Sequence, residues 1–161
     1  MMSNTVDFFF KKLSKPYYLK LFLWFKLPLA AITGVKLVQV DYETCAVLVK
    51  YKWLNKNPFN TMYWAVMGMA AELCSGLLVM MYAYGQKPGI SMYVVSCKGK
   101  FVKTGLGKIT FTCNDGKLIE SVVKDCMANK TAKTIDCETK ATNEKGELVA
   151  EFTFTWSIKG R

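Results

Sequence analysis

The feature that most constrains the fold is a long apolar stretch in the middle of the chain. From Thr61 to Tyr84 the sequence contains no proline and one charged side chain, Glu72. As a helix, this stretch measures roughly 35 Å at about 1.5 Å per residue. A helix that is apolar on every side must be covered by other elements or lie in a membrane. The charge near its midpoint is costly in lipid and therefore favours a covered core helix over a membrane span.

Alternating strand patterns on both sides of this helix can supply the cover. Apolar and polar residues alternate with a period of two in six segments, two before the helix and four after it. The segments are residues 35–39, 45–53, 90–102, 108–113, 134–141 and 151–158. A short helix with apolar residues at helical spacing follows Asn114-Asp115-Gly116. We therefore predict one α+β domain, an antiparallel sheet of about six strands wrapped around one long central helix.

The N-terminal region combines basic and apolar residues. Four lysines between residues 11 and 20 precede an apolar stretch, which loosely resembles a signal peptide. Lys26 and Pro28 interrupt that stretch, so we predict instead an amphipathic helical arm from Lys15 to Thr33 that ends at Gly34. Residues 1–34 then form the arm, and residues 35–161 form the core of the single domain.

Composition narrows the chemistry. The 161 residues include no histidine, which excludes Ser-His-Asp and Cys-His catalysis and disfavours the common zinc sites. The six cysteines include no C-x-x-C pair and fall in apolar segments, where cysteine acts as a small hydrophobe. We therefore expect a reduced, cytoplasmic protein without a metal site. The net charge of +10 favours anionic partners such as phosphorylated small molecules, acidic membrane surfaces or nucleic acid.

Glu72 is the strongest candidate for a functional residue. A carboxylate inside an apolar helix must be paired, protonated or functional, because its burial alone is expensive. Burial also raises the pKa of a carboxyl group, which suits a general base near neutral pH. The alternative is that Glu72 only faces a dimer interface or binds a loop amide.

The segment around the start of the long helix resembles a known family. Asn57-Pro58-Phe59, followed by Met62 to Gly76 (MYWAVMGMAAELCSG), is similar to the PaaI-like hotdog thioesterases and closest to their thioesterase-like DUF4442 branch. The resemblance covers about Gly34 to Ile158. It implies a hotdog fold, a homodimer or dimer of dimers, and sites at the dimer interface. Family members carry an Asn in the loop, a His-Gly-Gly at the helix start and an acid nine residues after the His; here the Asn matches Asn57 and the acid matches Glu72.

The resemblance implies hydrolysis of an acyl-coenzyme A thioester without a cofactor. Glu72 would serve as general base or nucleophile, and Asn57 and Ser91 would orient water or substrate. Main-chain amides of Trp64 or Ala65 would stabilise the oxyanion. Further residues are expected to contact the substrate, the lysines through the coenzyme A phosphates: Tyr63, Asn60, Lys100 and Lys103. The lysines are equally consistent with a solvated, charge-protected sheet edge.

One departure from the family pattern keeps other functions open. Tyr63-Trp64-Ala65 stands where the family has His-Gly-Gly, and Trp64 is bulky enough to plug the pocket. The protein could therefore be a non-catalytic module that binds acyl-CoA or lipid. It could also be a membrane-peripheral protein that uses the basic arm. Nucleic acid is disfavoured because the strands carry no RNA-binding aromatic motif.

Overall fold

The computed structural model describes residues 4–13 and 15–161, and from residue 36 onward its main elements follow the predicted order. The helices are α1 (Asn4–Leu13), α2 (Pro16–Lys26), α3 (Pro28–Thr33), α4 (Trp64–Ala83) and α5 (Gly116–Asn129). The strands are β1 (Lys36–Val40), β2 (Cys45–Lys50), β3 (Ile90–Phe101), β4 (Lys108–Cys113), β5 (Lys133–Thr142) and β6 (Leu148–Gly160).

The six strands form one antiparallel sheet in the order β1-β2-β4-β5-β6-β3. The predicted antiparallel sheet is therefore confirmed. Strand β3 follows α4 directly in sequence but lies at the far edge, paired with β6 from Ile90 opposite Gly160 to Phe101 opposite Ala150. In the part of the chain that is described, no strand pairs with the outer edge of β3.

Helix α4 forms the centre of the core. Ala70, Cys74 and Leu77 on the helix are fully buried, as are Val47 on β2 and Phe111 on β4. The helix packs against β2, β4 and β5 and also against α5. Each fully buried aliphatic side chain stabilises the fold by about 1.5–3 kcal/mol. The predicted long central helix is confirmed, although it begins at Trp64 rather than Thr61.

Helix α4 is also the one helix within residues 4–13 and 15–161 that is long and apolar enough to cross a membrane. Most of it, 61% of its most apolar window, is buried inside the fold. Its apolar surface is therefore covered by the sheet and α5, as expected of a core helix.

The N-terminal arm differs from the prediction of one helix over Lys15 to Thr33. It is divided into α2 and α3 at Leu27, whose φ of −138° is not helical. Pro28 explains the break, because proline disfavours the helical conformation in the residue before it. Gly34 ends the arm in the left-handed conformation at φ 83°, as predicted. Helix α1 was not predicted.

The second predicted strand, residues 45–53, was too long. Strand β2 ends at Lys50, and Trp53–Asn55 form a 3-10 turn. The buried side chain of Asn55 replaces the missing ladder hydrogen bonds, since its Oδ1 accepts from the Lys52 amide at 2.8 Å and its Nδ2 donates to the Lys50 carbonyl at 2.9 Å.

All six cysteines are free thiols, and five of them are buried. The Cys74 thiol, for example, donates to the Cys45 carbonyl at 2.8 Å. The expectation that every cysteine packs as a small hydrophobe was wrong for Cys97, which is exposed on β3. Residues 95–101 of β3 are all exposed, so neither face of this part of the strand is covered.

Candidate functional site

The predicted site residues on α4 fall into two groups. Trp64 and Ala65 form the first turn of the helix, and Glu72 lies two turns further on. The seven residues from Ala65 to Glu72 correspond to about 10 Å along the helix axis, at 1.5 Å per residue. Within one chain, the candidate acid and the candidate oxyanion donors therefore do not meet at one reacting atom.

The start of α4 is held by main-chain hydrogen bonds. The Tyr63 amide donates to the Asn55 carbonyl at 2.8 Å, and the Met62 amide donates to the Gly105 carbonyl at 2.8 Å. Tyr63 is the N-cap residue and caps the helix with no side-chain hydrogen bond. The first amides of a helix have no acceptor within it, so the amides of Trp64 and Ala65 point out of the helix end. This end also carries the positive pole of the helix dipole.

Asn57 organises the loop that leads into α4. Its side-chain Nδ2 donates to Thr61 Oγ1 at 2.8 Å, and its Oδ1 accepts from the amides of Phe59 and Thr61 at 3.0 and 3.1 Å. Asn60 is in the left-handed conformation at φ 57°, and its amide donates to the Asn57 carbonyl at 3.1 Å. The side-chain oxygen of Asn57 is thus already engaged inside its own loop.

A cavity of about 370 Å³ opens at the start of α4. Its lining brings together three of the predicted site residues, Asn57, Trp64 and Lys103, with Thr61 and Phe101. The volume falls within the range of roughly 300–1,000 Å³ that is usual for ligand sites. Trp64 remains 58% exposed and lines the cavity without filling it.

The two predicted phosphate-binding lysines both have carboxylate partners. Lys103 Nζ lies 2.8 Å from Glu147 Oε1, and Lys100 Nζ lies 3.9 Å from Glu151 Oε2. The hydrogen bond from Lys103 also lowers the pKa of Glu147. Because exposed ion pairs of this kind are weak, a phosphate group could displace either carboxylate.

Glu72 lies on α4, which packs against the edge strand β3 as well as against β2, β4, β5 and β6. Its side chain is exposed to solvent in the single chain, yet partial burial among its neighbours raises the pKa of its carboxyl group. Burial also raises the pKa of the Cys97 thiol, and the charge of Glu72 raises it further. The charge of Glu72 therefore acts on the thiol of Cys97 at the open sheet edge.

Ser91 is not part of this neighbourhood. Its Oγ accepts a hydrogen bond from Arg161 Nε at 2.8 Å, close to the start of β3. The six residues from Ser91 to Cys97 span roughly 20 Å of extended strand at about 3.3 Å each. In one chain, therefore, Ser91 does not reach the water that Glu72 would activate.

Three residues that sequence reasoning missed hold the turn of α4 around Glu72. The Trp156 indole donates to Ser75 Oγ, Ser75 Oγ donates to the Glu72 carbonyl, and Thr139 Oγ1 donates to the Ala71 carbonyl at 3.3 Å. The available signal was a polar side chain at a position that the apolar pattern assigns to the core. Ser75 and Thr139 are such residues, and both are fully buried.

Comparison with known proteins supports the architecture. The family model for the domain of unknown function DUF4442 matches residues 17–158. A search of the curated proteins found no match.

Two solved structures with similar folds illustrate the relationship. A protein of unknown function from Pseudomonas aeruginosa, described as a probable thioesterase, has 18% identity and a TM-score of 0.76, over 91% of this chain and 97% of that one. A thioesterase from Haemophilus influenzae has 11% identity and a TM-score of 0.64, over 91% of each chain. At these identities the similarity establishes the fold, and the predicted hotdog fold is confirmed.

Proposed function

The chain belongs to the DUF4442 family, and from this premise we propose that it hydrolyses an acyl-coenzyme A thioester with Glu72 as general base or nucleophile. The observation that carries the proposal is the environment of Glu72, whose pKa is raised by partial burial beside the open edge of β3. A carboxylate of raised pKa is a stronger base than an ordinary carboxylate. The thioesterases among the similar structures support the same class of reaction.

The proposed site needs two copies of the chain. Oxyanion donors and a general base must both approach the same thioester carbonyl, whereas Glu72 and the amide of Ala65 lie about 10 Å apart along one helix. We therefore place the acid of one copy opposite the helix start of a second copy, and the protein acts as a homodimer.

The position of both features along β3 suggests how the copies would pair. Cys97 is the β3 residue whose thiol is influenced by the charge of Glu72, and Phe101 lines the cavity at the start of α4. Antiparallel pairing of two β3 edges, with the two-fold axis near Gly99, would set Cys97 of one copy opposite Phe101 of the other. Glu72 of each copy then approaches the other copy's cavity. This arrangement also pairs an edge that would otherwise be left open.

In the proposed reaction, Glu72 accepts a proton from water as the water oxygen attacks the thioester carbonyl carbon. The amides of Trp64 and Ala65 donate to the developing oxyanion, and the carbon–sulfur bond breaks to release the coenzyme A thiolate. If Glu72 instead attacks directly, an acyl-enzyme anhydride forms first and water then hydrolyses it. Lys100 and Lys103 would bind coenzyme A phosphates after their ion pairs with Glu151 and Glu147 break.

The decisive experiment is an acyl-CoA hydrolysis panel on the wild-type protein, Glu72→Gln and a control. We expect Glu72→Gln to lower kcat/KM by about 10²–10⁴, the usual contribution of a general base. Glu138→Gln, on the exposed side of β5, is the matched control and should keep full activity. Unchanged hydrolysis by folded Glu72→Gln would contradict the proposal.

A second function is favoured by the start of α4. The side-chain oxygen of Asn57 is held by the amides of Phe59 and Thr61, and Trp64 stands where glycine gives other family members close backbone approach. These features fit a non-catalytic module that binds acyl-CoA. Saturable binding of acyl-CoA by the wild-type protein without turnover, across chain lengths, would select this function over hydrolysis.

A further inference from the structure

The N-terminal arm presents an apolar surface to solvent. Helix α2 is apolar on nearly all sides, and its buried side, with Leu19 and Leu23, faces the core. Four large apolar residues also occupy its outer side, and their spacing in sequence places them on one helical face. They are Tyr17, Leu21, Trp24 and Phe25, between 51% and 77% exposed.

Helix α3 extends this surface. Leu29 is 65% exposed and Ile32 is 46% exposed. We call these six residues, Tyr17, Leu21, Trp24, Phe25, Leu29 and Ile32, the arm face. Single exposed apolar residues are ordinary, but a contiguous group usually marks an interaction surface.

The charges around the arm face are all of one sign. From Phe8 to Val40 the sequence contains no acidic residue and six lysines. The lysines are Lys11, Lys12, Lys15, Lys20, Lys26 and Lys36. Lys20 and Lys26 lie on α2 itself and are exposed. A partner of the arm face therefore meets both an apolar surface and a dense positive charge.

We propose that the arm face docks the protein on the surface of an anionic lipid bilayer. Interfacial helices combine Trp, Phe and Leu on the buried side with lysines that contact lipid headgroups, and aromatic rings such as Trp24 favour the headgroup region. The 11 residues of α2 extend roughly 17 Å at about 1.5 Å each, too short to span a core of about 30 Å. Helix α2 therefore lies parallel to the bilayer surface when the protein docks.

A second copy of the chain fits the arm face less well than a bilayer does. A symmetric contact would bring the same surface of each copy together, and with it two sets of like-charged lysines. An anionic surface pairs with those lysines instead. Charge complementarity therefore selects the bilayer.

Docking through the arm leaves the candidate catalytic site free. Helix α2 packs beside β1, at the edge of the sheet opposite β3. An apolar cavity of about 710 Å³ lies between the arm and β1, and it shares no lining residue with the cavity at the start of α4. The inference therefore stands whether or not the protein is a thioesterase.

The test is co-sedimentation of the full-length protein with vesicles of phosphatidylcholine alone or with about 30% phosphatidylglycerol. We expect binding to the anionic vesicles to be at least about tenfold tighter and to weaken as salt is raised. Leu21→Ser with Phe25→Ser should remove binding. The matched control, Trp53→Ser with Phe59→Ser, changes two residues that are 78% and 84% exposed outside the arm and should bind like wild type.

A lysine pair separates the two contributions. Lys20→Gln with Lys26→Gln should weaken binding to anionic vesicles roughly 30-fold, at about 1 kcal/mol per lysine, while Lys140→Gln with Lys145→Gln, exposed on β5 and the turn after it, should weaken it less. Equal binding to both vesicle types, or binding that survives Leu21→Ser with Phe25→Ser, would overturn the proposal. Self-association lost in that same variant, without vesicle binding, would assign the arm face to a second copy and also overturn it.

Discussion

The indole N–H of Trp156 on β6 donates a hydrogen bond to Ser75 Oγ on α4, 3.1 Å away in the core. Ser75 Oγ in turn donates to the main-chain carbonyl of Glu72 at 3.1 Å. The two side chains are 5% and 0% exposed. A buried polar chain therefore fixes, from inside the fold, the turn of α4 that carries the candidate acid on its outer side.

Ser75→Ala should destabilise the protein, because it leaves the buried Trp156 N–H without an acceptor. We expect the free energy of unfolding to fall by about 1–3 kcal/mol in urea denaturation. Ser121→Ala, which removes an exposed hydroxyl bonded to the Leu118 carbonyl, should change it by about 0.5 kcal/mol or less. In a double-mutant cycle with Trp156→Phe, purely additive effects would show that the two groups are not coupled.

Glu72→Gln should raise the melting temperature at neutral pH while it slows hydrolysis. Burial raises the pKa of Glu72 above its ordinary value of 4.5 in the folded state, so folding favours the protonated form. The resulting stabilisation is complete below the unfolded-state pKa and is lost as pH rises through the folded-state pKa. The ionised carboxylate therefore lowers the stability of the folded state at pH 7.5, and glutamine, which carries no charge, does not.

The effect of Glu72→Gln on melting temperature should shrink when the measurement is repeated at pH 4, where Glu72 itself is largely protonated. Glu138→Gln, at an exposed position on β5, should alter the melting temperature little at either pH. A lower melting temperature for Glu72→Gln at pH 7.5 would indicate that Glu72 instead forms a stabilising interaction in the assembled protein.

The rate of thioester hydrolysis should depend on the ionisation of Glu72. Since its pKa is raised, kcat/KM should fall as pH decreases, with a midpoint above the ordinary value of 4.5. The midpoint is read from initial rates with one acyl-CoA between pH 4 and 9. Because the chain has no histidine, this fall of kcat/KM with decreasing pH cannot come from protonation of an imidazole.

The reactivity of Cys97 should report the charge of Glu72. Cys97 is exposed in the single chain, and the other five cysteines are buried, so a thiol reagent such as DTNB should modify it first in protein that is diluted until the proposed dimer dissociates. Burial and the Glu72 carboxylate both raise the pKa of its thiol. Glu72→Gln should therefore increase the labelling rate at pH 8, because more thiolate is present.

Cys97→Ser provides the control for this measurement and should remove the fast phase of labelling. An identical rate in the wild-type protein and in Glu72→Gln would mean that the charge of Glu72 does not act on the Cys97 thiol. The measurement is independent of enzymatic activity, so it checks the position of Glu72 even if the protein only binds its ligand.

The sequence predicted what local patterns determine. The apolar run around Glu72 gave the core helix, and period-two alternation gave the six strands. The pairing of β3 with β6, and thus the open edge beside Glu72, depends on contacts that local patterns do not encode. The same limit applies to asparagines: Asn55 and Asn57 look alike in sequence, but only the fold shows that Asn55 is buried and Asn57 lines a cavity.

The proposed pairing of two β3 edges predicts a specific cross-link. With the two-fold axis at Gly99, residues 97 and 101 lie directly opposite each other, with Cβ atoms about 4.5–5.5 Å apart. Phe101→Cys should therefore give a covalent dimer with Cys97 of the second copy on mild oxidation, seen by non-reducing electrophoresis. In the wild-type dimer, the Cys97 residues of the two copies are offset by four residues along the paired strands, which is roughly 13 Å at about 3.3 Å per residue. They should therefore form no disulfide with each other.

Two variants keep this cross-link interpretable. Tyr93→Cys adds a thiol to the same strand at a residue that is 60% exposed. In the proposed register this thiol is offset by eight residues from Cys97 of the second copy. The Tyr93→Cys protein should therefore form no covalent dimer and should run as a monomer under denaturing conditions. Phe101→Cys combined with Cys97→Ser should lose the covalent dimer. Efficient cross-linking of Tyr93→Cys would move the axis away from Gly99, and Glu72 of one copy would then no longer approach the helix start of the other.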